Sequence, residues 1–190
     1  MGRNRTIDRD AVLAAAERVV VRDGAARLPL DAVAAEAGIS KAAVLYDWKT
    51  KQGLIAAMIK RRVASEDGKV AEAMQRLPPG PDQAVKARLD VASQRVSDED
   101  RNVILSLCAF LAQDVSLREP IQQSMRRRLN DILGGSRHPR GALLAFLAME
   151  GLMALEWLDI KRWSDDERAQ LIAEMEWLIG QSPEPEEPGA

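Results

Sequence analysis

The chain has 190 residues, 46% of them hydrophobic, with 27 Lys and Arg against 29 Asp and Glu and a single cysteine. That length suits one medium domain, or a small domain on a larger one, and can bury a core without staples. One thiol excludes an internal disulfide and fits a reducing compartment.

The opening residues, MGRNRTIDRD, lack the apolar segment of a signal peptide. The longest apolar run, residues 141–149, is too short to cross a bilayer and is followed by Glu150. A cytoplasmic protein with no membrane partner is expected. Leu, Ala, Glu and Arg dominate and β-branched runs are rare, which predicts an all-α fold. Charge is unevenly placed: residues 1–62 hold 12 Lys and Arg against 7 Asp and Glu, and the remainder holds 15 against 22. A basic head on an acidic body is the footprint of a module that meets a polyanion with one part only.

Residues 1–7 form a polar arm carrying Arg3 and Arg5. It reads either as a solvated terminus or as an arm that follows a phosphate backbone or enters a minor groove. A first helix is predicted over residues 8–23, with Asp8 as its cap, Val12, Leu13, Ala16, Val19 and Val20 as its apolar stripe, and Gly24 at its end. Pro29 suits the first turn of the second helix. The stretch LDAVAAEAGISKAAVLYDW, residues 30–48, then reads as two short helices crossing at a tight turn. Gly38 closes the first in the left-handed conformation, Ile39 plugs the corner, and Ser40 caps the second. Val44 and Trp48, four apart, share the buried face. That is a helix-turn-helix, whose second helix enters the DNA major groove.

With Val44 inward, Ala42 and Tyr46 point most directly outward, flanked by Ala43 and Leu45, with Lys41 at the helix start. This face has few bidentate readers, so sequence choice would rest on shape, water and apolar contact with thymine methyls. Thr50 is the expected cap of a long fourth helix reaching residue 75, with Leu54, Ile55, Met58, Ile59 and Val63 inward. Its N-terminus, with Lys51 beside it, suits a phosphate.

LPPGP breaks that helix. Further amphipathic helices are predicted at 81–96, 98–114, 119–133, 139–160 and 165–180, and the tail SPEPEEPGA is expected to be disordered. The segment ALLAFLAMEGLMALEWL is apolar on nearly all faces and needs cover from more than one side. Leu171, Ile172, Met175, Leu178 and Ile179 of the last helix are its expected partners, and the pair suggests self-association. Arg126 to Arg128 read as a solvated face, and Cys108 as a buried core residue. His138 has no visible metal-binding companions, so no metal or other cofactor is expected. There is no Gly-rich phosphate loop, nucleophile elbow or paired acid/base spacing, so no enzyme is expected.

Residues 8 to about 60 resemble the DNA-binding domain of TetR-family transcriptional regulators. The resemblance lies in VAAEAGISKAAVLYDW, against an apolar-Ala-x-x-Ala-Gly-Val-Ser-x-x-x-x-Tyr-x-x-aromatic pattern, followed by Lys49-Thr50-Lys51-Gln52-Gly53-Leu54. It implies a homodimer that binds a palindromic operator, usually as a repressor, and that a small molecule releases from DNA. It implies that Lys51 contacts phosphate, that Lys41 occupies a frequent DNA-facing position, and that Tyr46 is the second of two aromatic positions in the recognition helix. There are departures. Leu45 stands where the family usually has a backbone-contacting tyrosine, Asp47 where a histidine is common, and Pro29 and Leu30 where threonines are usual.

The expected architecture is an N-terminal three-helix helix-turn-helix domain (1–50, with the arm), a helical ligand-binding and dimerisation domain (51–180) entered through the long helix, and an acidic tail (181–190). The expected DNA-facing residues are Arg3, Arg5, Lys41, Ala42, Ala43, Leu45, Tyr46, Lys49, Thr50 and Lys51. Phe110, Met149, Glu150, Met153, Trp157 and Trp177 are candidate linings of an effector pocket. Aromatic rings with a carboxylate would favour a cationic, flat ligand; the alternative for each is a core or dimer role. The competing function is a helical small-molecule-binding or scaffold protein whose DNA binding is weak or lost.

Overall fold

The computed structural model describes residues 8–24 and 28–183. Arg3, Arg5 and residues 184–190 of the tail lie outside the described residues. Those described form nine α-helices and no strand: α1 (Arg9–Asp23), α2 (Leu30–Glu36), α3 (Lys41–Trp48), α4 (Lys51–Arg76), α5 (Gln83–Ser93), α6 (Asp98–Gln113), α7 (Glu119–Gly135), α8 (Pro139–Trp157) and α9 (Asp165–Ile179). A short 3-10 turn, Val115–Arg118, follows α6; the periodicity gave no sign of it.

The contacts divide the chain into two compact units, residues up to 64 with 97–121, and 65–96 with 122 onward. A single cut at residue 50 does not describe this division. The first unit takes α6 in addition to α1–α3 and the start of α4.

In the first unit, Val12, Ala16, Val19 and Val20 of α1 meet Val33, Val44, Trp48, Leu54 and Met58 in one core. α6 joins it through Val103, Leu107 and Phe110, spaced four and three apart. That register corrects two sequence expectations. Phe110 is a core residue of the first unit, not a companion of Met149 and Met153. Cys108, one step round the helix from Leu107, is exposed rather than buried. Partial burial still pushes its thiol pKa up, which disfavours the reactive thiolate.

The second unit is built around α8. Ala145, Phe146, Met149 and Met153 pack with Val85 and Leu89 of α5, Ile132 of α7, and Met175 and Ile179 of α9. At Gly141 the helices touch so closely that a Cβ would fall on the Leu178 and Gln181 carbonyl oxygens. Arg168 is buried because it does backbone work: it donates to the Ala92 and Ser93 carbonyls, which α5 leaves without partners at its C-terminus, and pairs with Glu156. Arg127 and Arg128 are not simply a solvated face either. With Ser124 they donate to Asp67, fastening α7 to α4. One stripe of α8 and its C-cap stays uncovered: Leu147, Ala148, Gly151 and Leu155, with Leu158 just past the helix end, spaced one, three or four apart, are exposed.

Candidate nucleic-acid interface

The turn between α2 and α3 is built as the residue order requires. Gly38 takes φ +65°. Its N–H donates to the Ala35 carbonyl at 3.2 Å and that of Ile39 to Ala34 at 3.0 Å, the paired bonds of a Schellman closure. The Ser40 hydroxyl accepts from the Ala43 N–H at 3.2 Å and so caps α3. Val44 and Trp48 face inward. Pro29 differs from expectation by one position: with ψ 123° it is the residue before α2, not its first turn, and it lends no side-chain cap.

The outward face follows from that register. Lys41 and Ala42 are exposed, Ala43 and Leu45 half-buried, and Tyr46 is 75% exposed. Lys41 pairs with Asp31 of α2 at 2.8 Å. Lys49 has φ +60°, an uncommon conformation for a residue with a side chain. Its ammonium donates to the Tyr46 carbonyl at 2.6 Å and lies 4.8 Å from the Tyr46 ring centre. Thr50 is the cap of α4, its hydroxyl accepting from the Gly53 N–H at 3.0 Å. Gly53 is required there, because a Cβ would land on the Trp48 carbonyl oxygen. Lys51, half-buried, is the first residue of α4. Asp47 turns towards α1, with Oδ1 3.9 Å from Arg9 Nε, while the Arg9 guanidinium lies 5.3 Å from the centre of the Trp48 ring. Arg9 was not singled out from sequence. Periodicity places it at a helix start but cannot say which ring it lies against.

The unit is braced behind this face. Glu36 of α2 accepts from Arg18 and Arg22 of α1, and the Arg18 hydrogen bond holds its carboxyl below the usual range against a smaller desolvation effect. Glu17 is buried and takes Arg61 and Arg62 of α4, and Arg62 also reaches Asp100 of α6. A cleft of about 350 Å³ lies between Ala14, Arg18 and Val21 of α1, Arg61 of α4 and Val103 of α6.

The six residues expected around an effector are not gathered. Met149 and Met153 are core, and Trp157 packs partly buried against them with its indole N–H unpartnered. Glu150 is occupied, accepting from the buried Arg88 at 2.8 and 3.1 Å. Trp177 lies on the far side of α9 from Met175 and Ile179 and is 65% exposed, and Phe110 belongs to the other unit. No cluster of three metal-ligating side chains occurs among the described residues, and none of the described helices is long and apolar enough to cross a membrane.

A chain whose described elements are all helical, with a capped helix-turn-helix in an N-terminal segment of net positive charge, is a DNA-binding protein of the helix-turn-helix class. Two family models match: the bacterial regulatory proteins of the tetR family over residues 12–58, and the tetracycline repressor-like C-terminal domain over residues 82–180. The chain belongs to the TetR family of transcriptional regulators. No curated protein sequence matches it. Solved structures share the fold. SCO7518 of Streptomyces coelicolor A3(2) has 20% identity and a TM-score of 0.71, over 91% of this chain and 98% of that one. A TetR-like transcriptional regulator from Rhodococcus sp. RHA1 has 22% identity and a TM-score of 0.62, over 95% and 100%. A protein from Saccharomonospora viridis, solved in complex with choline, has 19% identity and a TM-score of 0.62, over 87% and 93%.

Proposed function

We propose that this chain is a homodimeric repressor that binds a palindromic operator through α3 and is released by a small molecule held in its C-terminal unit. The observation that carries the reading is the pairing of an outward, close-approach face (Ala42, Ala43, Tyr46) with the Thr50-capped N-terminus of α4 at Lys51. Alanines permit approach to base edges, and a helix N-terminus with a lysine suits a backbone phosphate.

Dimerisation through α8 and α9 is supported by the exposed Leu147, Leu155 and Leu158 and by Trp177. Exposed apolar stripes of this kind mark association surfaces, and a twofold dimer reading two half-sites needs its α3 helices about one turn of DNA, roughly 34–36 Å, apart. Effector release then follows from differential affinity: a ligand that prefers the other α3 separation lowers DNA affinity by that preference. The choline complex of the Saccharomonospora protein supports a small cationic ligand. Glu150, already held by Arg88, is not an uncommitted carboxylate for one.

The experiment is fluorescence anisotropy of the full chain on a duplex from the region upstream of its own gene, across a salt series. Tight, salt-dependent binding is expected, and Lys51→Ala should reduce the slope of log K against log salt by about one unit. Binding weaker than micromolar at low salt would favour the competing scaffold reading.

A further inference from the structure

Helix α3 carries one carboxylate, Asp47, and the structure shows what is done with it. Asp47 is turned against the first residue of α1, its side chain 19% exposed and its Oδ1 3.9 Å from Arg9 Nε. The same guanidinium lies over Trp48, 5.3 Å from the ring centre. Arg9 itself stays 61% exposed.

This is a poor arrangement for stability and a good one for aiming a charge. A 3.9 Å approach is an ion pair without a hydrogen bond, and an exposed pair of that kind contributes little to folding. Among the described residues the Arg9 N–H donors make no hydrogen bond. The other cations around α3 are committed differently: Lys41 to Asp31, and Lys49 to the Tyr46 carbonyl. A guanidinium set against a ring face and a carboxylate, its planar fork making no hydrogen bond among the described residues, matches a phosphate bidentately. It also cancels the repulsion that Asp47 would otherwise offer to the backbone.

We propose that Arg9 contacts a DNA phosphate beside the C-terminal end of α3, and that Asp47 and Trp48 are positioning residues that aim it. The proposal rests on the DNA-binding reading above.

The test uses the full chain and a fluorescein-labelled 30-bp random-sequence duplex between 20 and 150 mM KCl, with circular dichroism to confirm that each variant is folded. R9Q should lower the salt slope by about one unit. R9K should keep the slope and lose affinity severalfold, because an ammonium lacks the planar fork. D47N should weaken binding in the wild-type background, where it loosens Arg9, and strengthen it in the R9Q background, where it removes an uncompensated carboxylate. That reversal of sign is one that a purely structural Asp47 would not produce. An unchanged slope in folded R9Q, or a D47N effect of the same sign in both backgrounds, overturns the proposal while leaving DNA binding intact. Failure of the wild-type chain to bind the duplex at 20 mM KCl overturns both.

Discussion

The Glu17 carboxylate of α1, only 6% exposed, lies 2.8 Å from Arg62 Nη2 of α4, and its other oxygen accepts from Arg62 Nε at 3.0 Å. Arg61 approaches that second oxygen at 3.0 Å. Each partner can be removed, but not at equal cost. In Glu17→Gln the two arginines, 33% and 27% exposed, turn to water, and a loss of about 2 kcal/mol is expected from the charged hydrogen bonds. In Arg62→Ala the buried carboxylate is left with Arg61 alone, which costs about 3–5 kcal/mol when a buried pair is broken from that side. Urea unfolding should therefore rank Arg62→Ala as the more damaging, and a double-mutant cycle should return strong coupling. Equal losses would mean that Glu17 is hydrated in solution.

Two glycines of α4 make a matched pair. A Cβ at Gly68 meets nothing within 4 Å, whereas one at Gly53 meets the Trp48 carbonyl oxygen. Gly68→Ala should stabilise the chain by about 0.5–1 kcal/mol, the ordinary helix gain. Gly53→Ala should do the reverse, forcing the α3–α4 turn open, and should weaken DNA binding through the displaced Lys51. Thermal unfolding and anisotropy on the same duplex check both. Stabilisation by both substitutions would show that the turn yields freely.

The helix-turn-helix was legible because its signals are local. Asp8, Ser40 and Thr50 each accept the backbone N–H that their position predicts, and Gly38 closes α2. Partner choice was not legible. Periodicity says which face of α6 is apolar, but not that Phe110 and Leu107 join the core of α1 rather than that of α8. It cannot show that Arg88 takes up Glu150, or that Trp177 points to solvent, because those facts depend on which helix lies opposite. The same limit hid Arg9, whose neighbours Asp47 and Trp48 are 38 and 39 positions away. The outward placement of Ala42 and Tyr46 was legible because spacing from Val44 alone sets it.

Acid should loosen the join between α4 and α7. Burial acts to raise the Asp67 carboxyl pKa, but hydrogen bonds from Arg128, Ser124 and Arg127 outweigh it and hold the group below the usual range. A depressed folded-state value means that Asp67 contributes its stability above the ordinary carboxylate pKa and loses it as pH falls through the lower one. The melting temperature of the wild-type chain should fall between pH 5 and pH 3 more steeply than that of Asp67→Asn, which starts lower at pH 7 by about 2 kcal/mol of stability. Parallel pH profiles would remove Asp67 from the set of groups that acid titrates.

The uncovered stripe of α8 gives the most direct test of the dimer. Leu147 is 54% and Leu155 37% exposed, on the same side of the helix as Gly151, where two helices could approach closely. In a twofold interface each substitution counts twice. Leu147→Glu would bring two carboxylates into an apolar seam, and a hot-spot loss of about 2 kcal/mol per copy raises the dimer dissociation constant by about three orders of magnitude. Leu133→Glu, on α7 and also open to solvent at 40% exposure, is the control and should leave assembly unchanged. Sedimentation velocity at micromolar concentration separates the two. Monomeric Leu147→Glu should also lose operator affinity, because one half-site alone cannot supply the paired contacts. A wild-type chain that sediments as a monomer would end the argument for two half-sites.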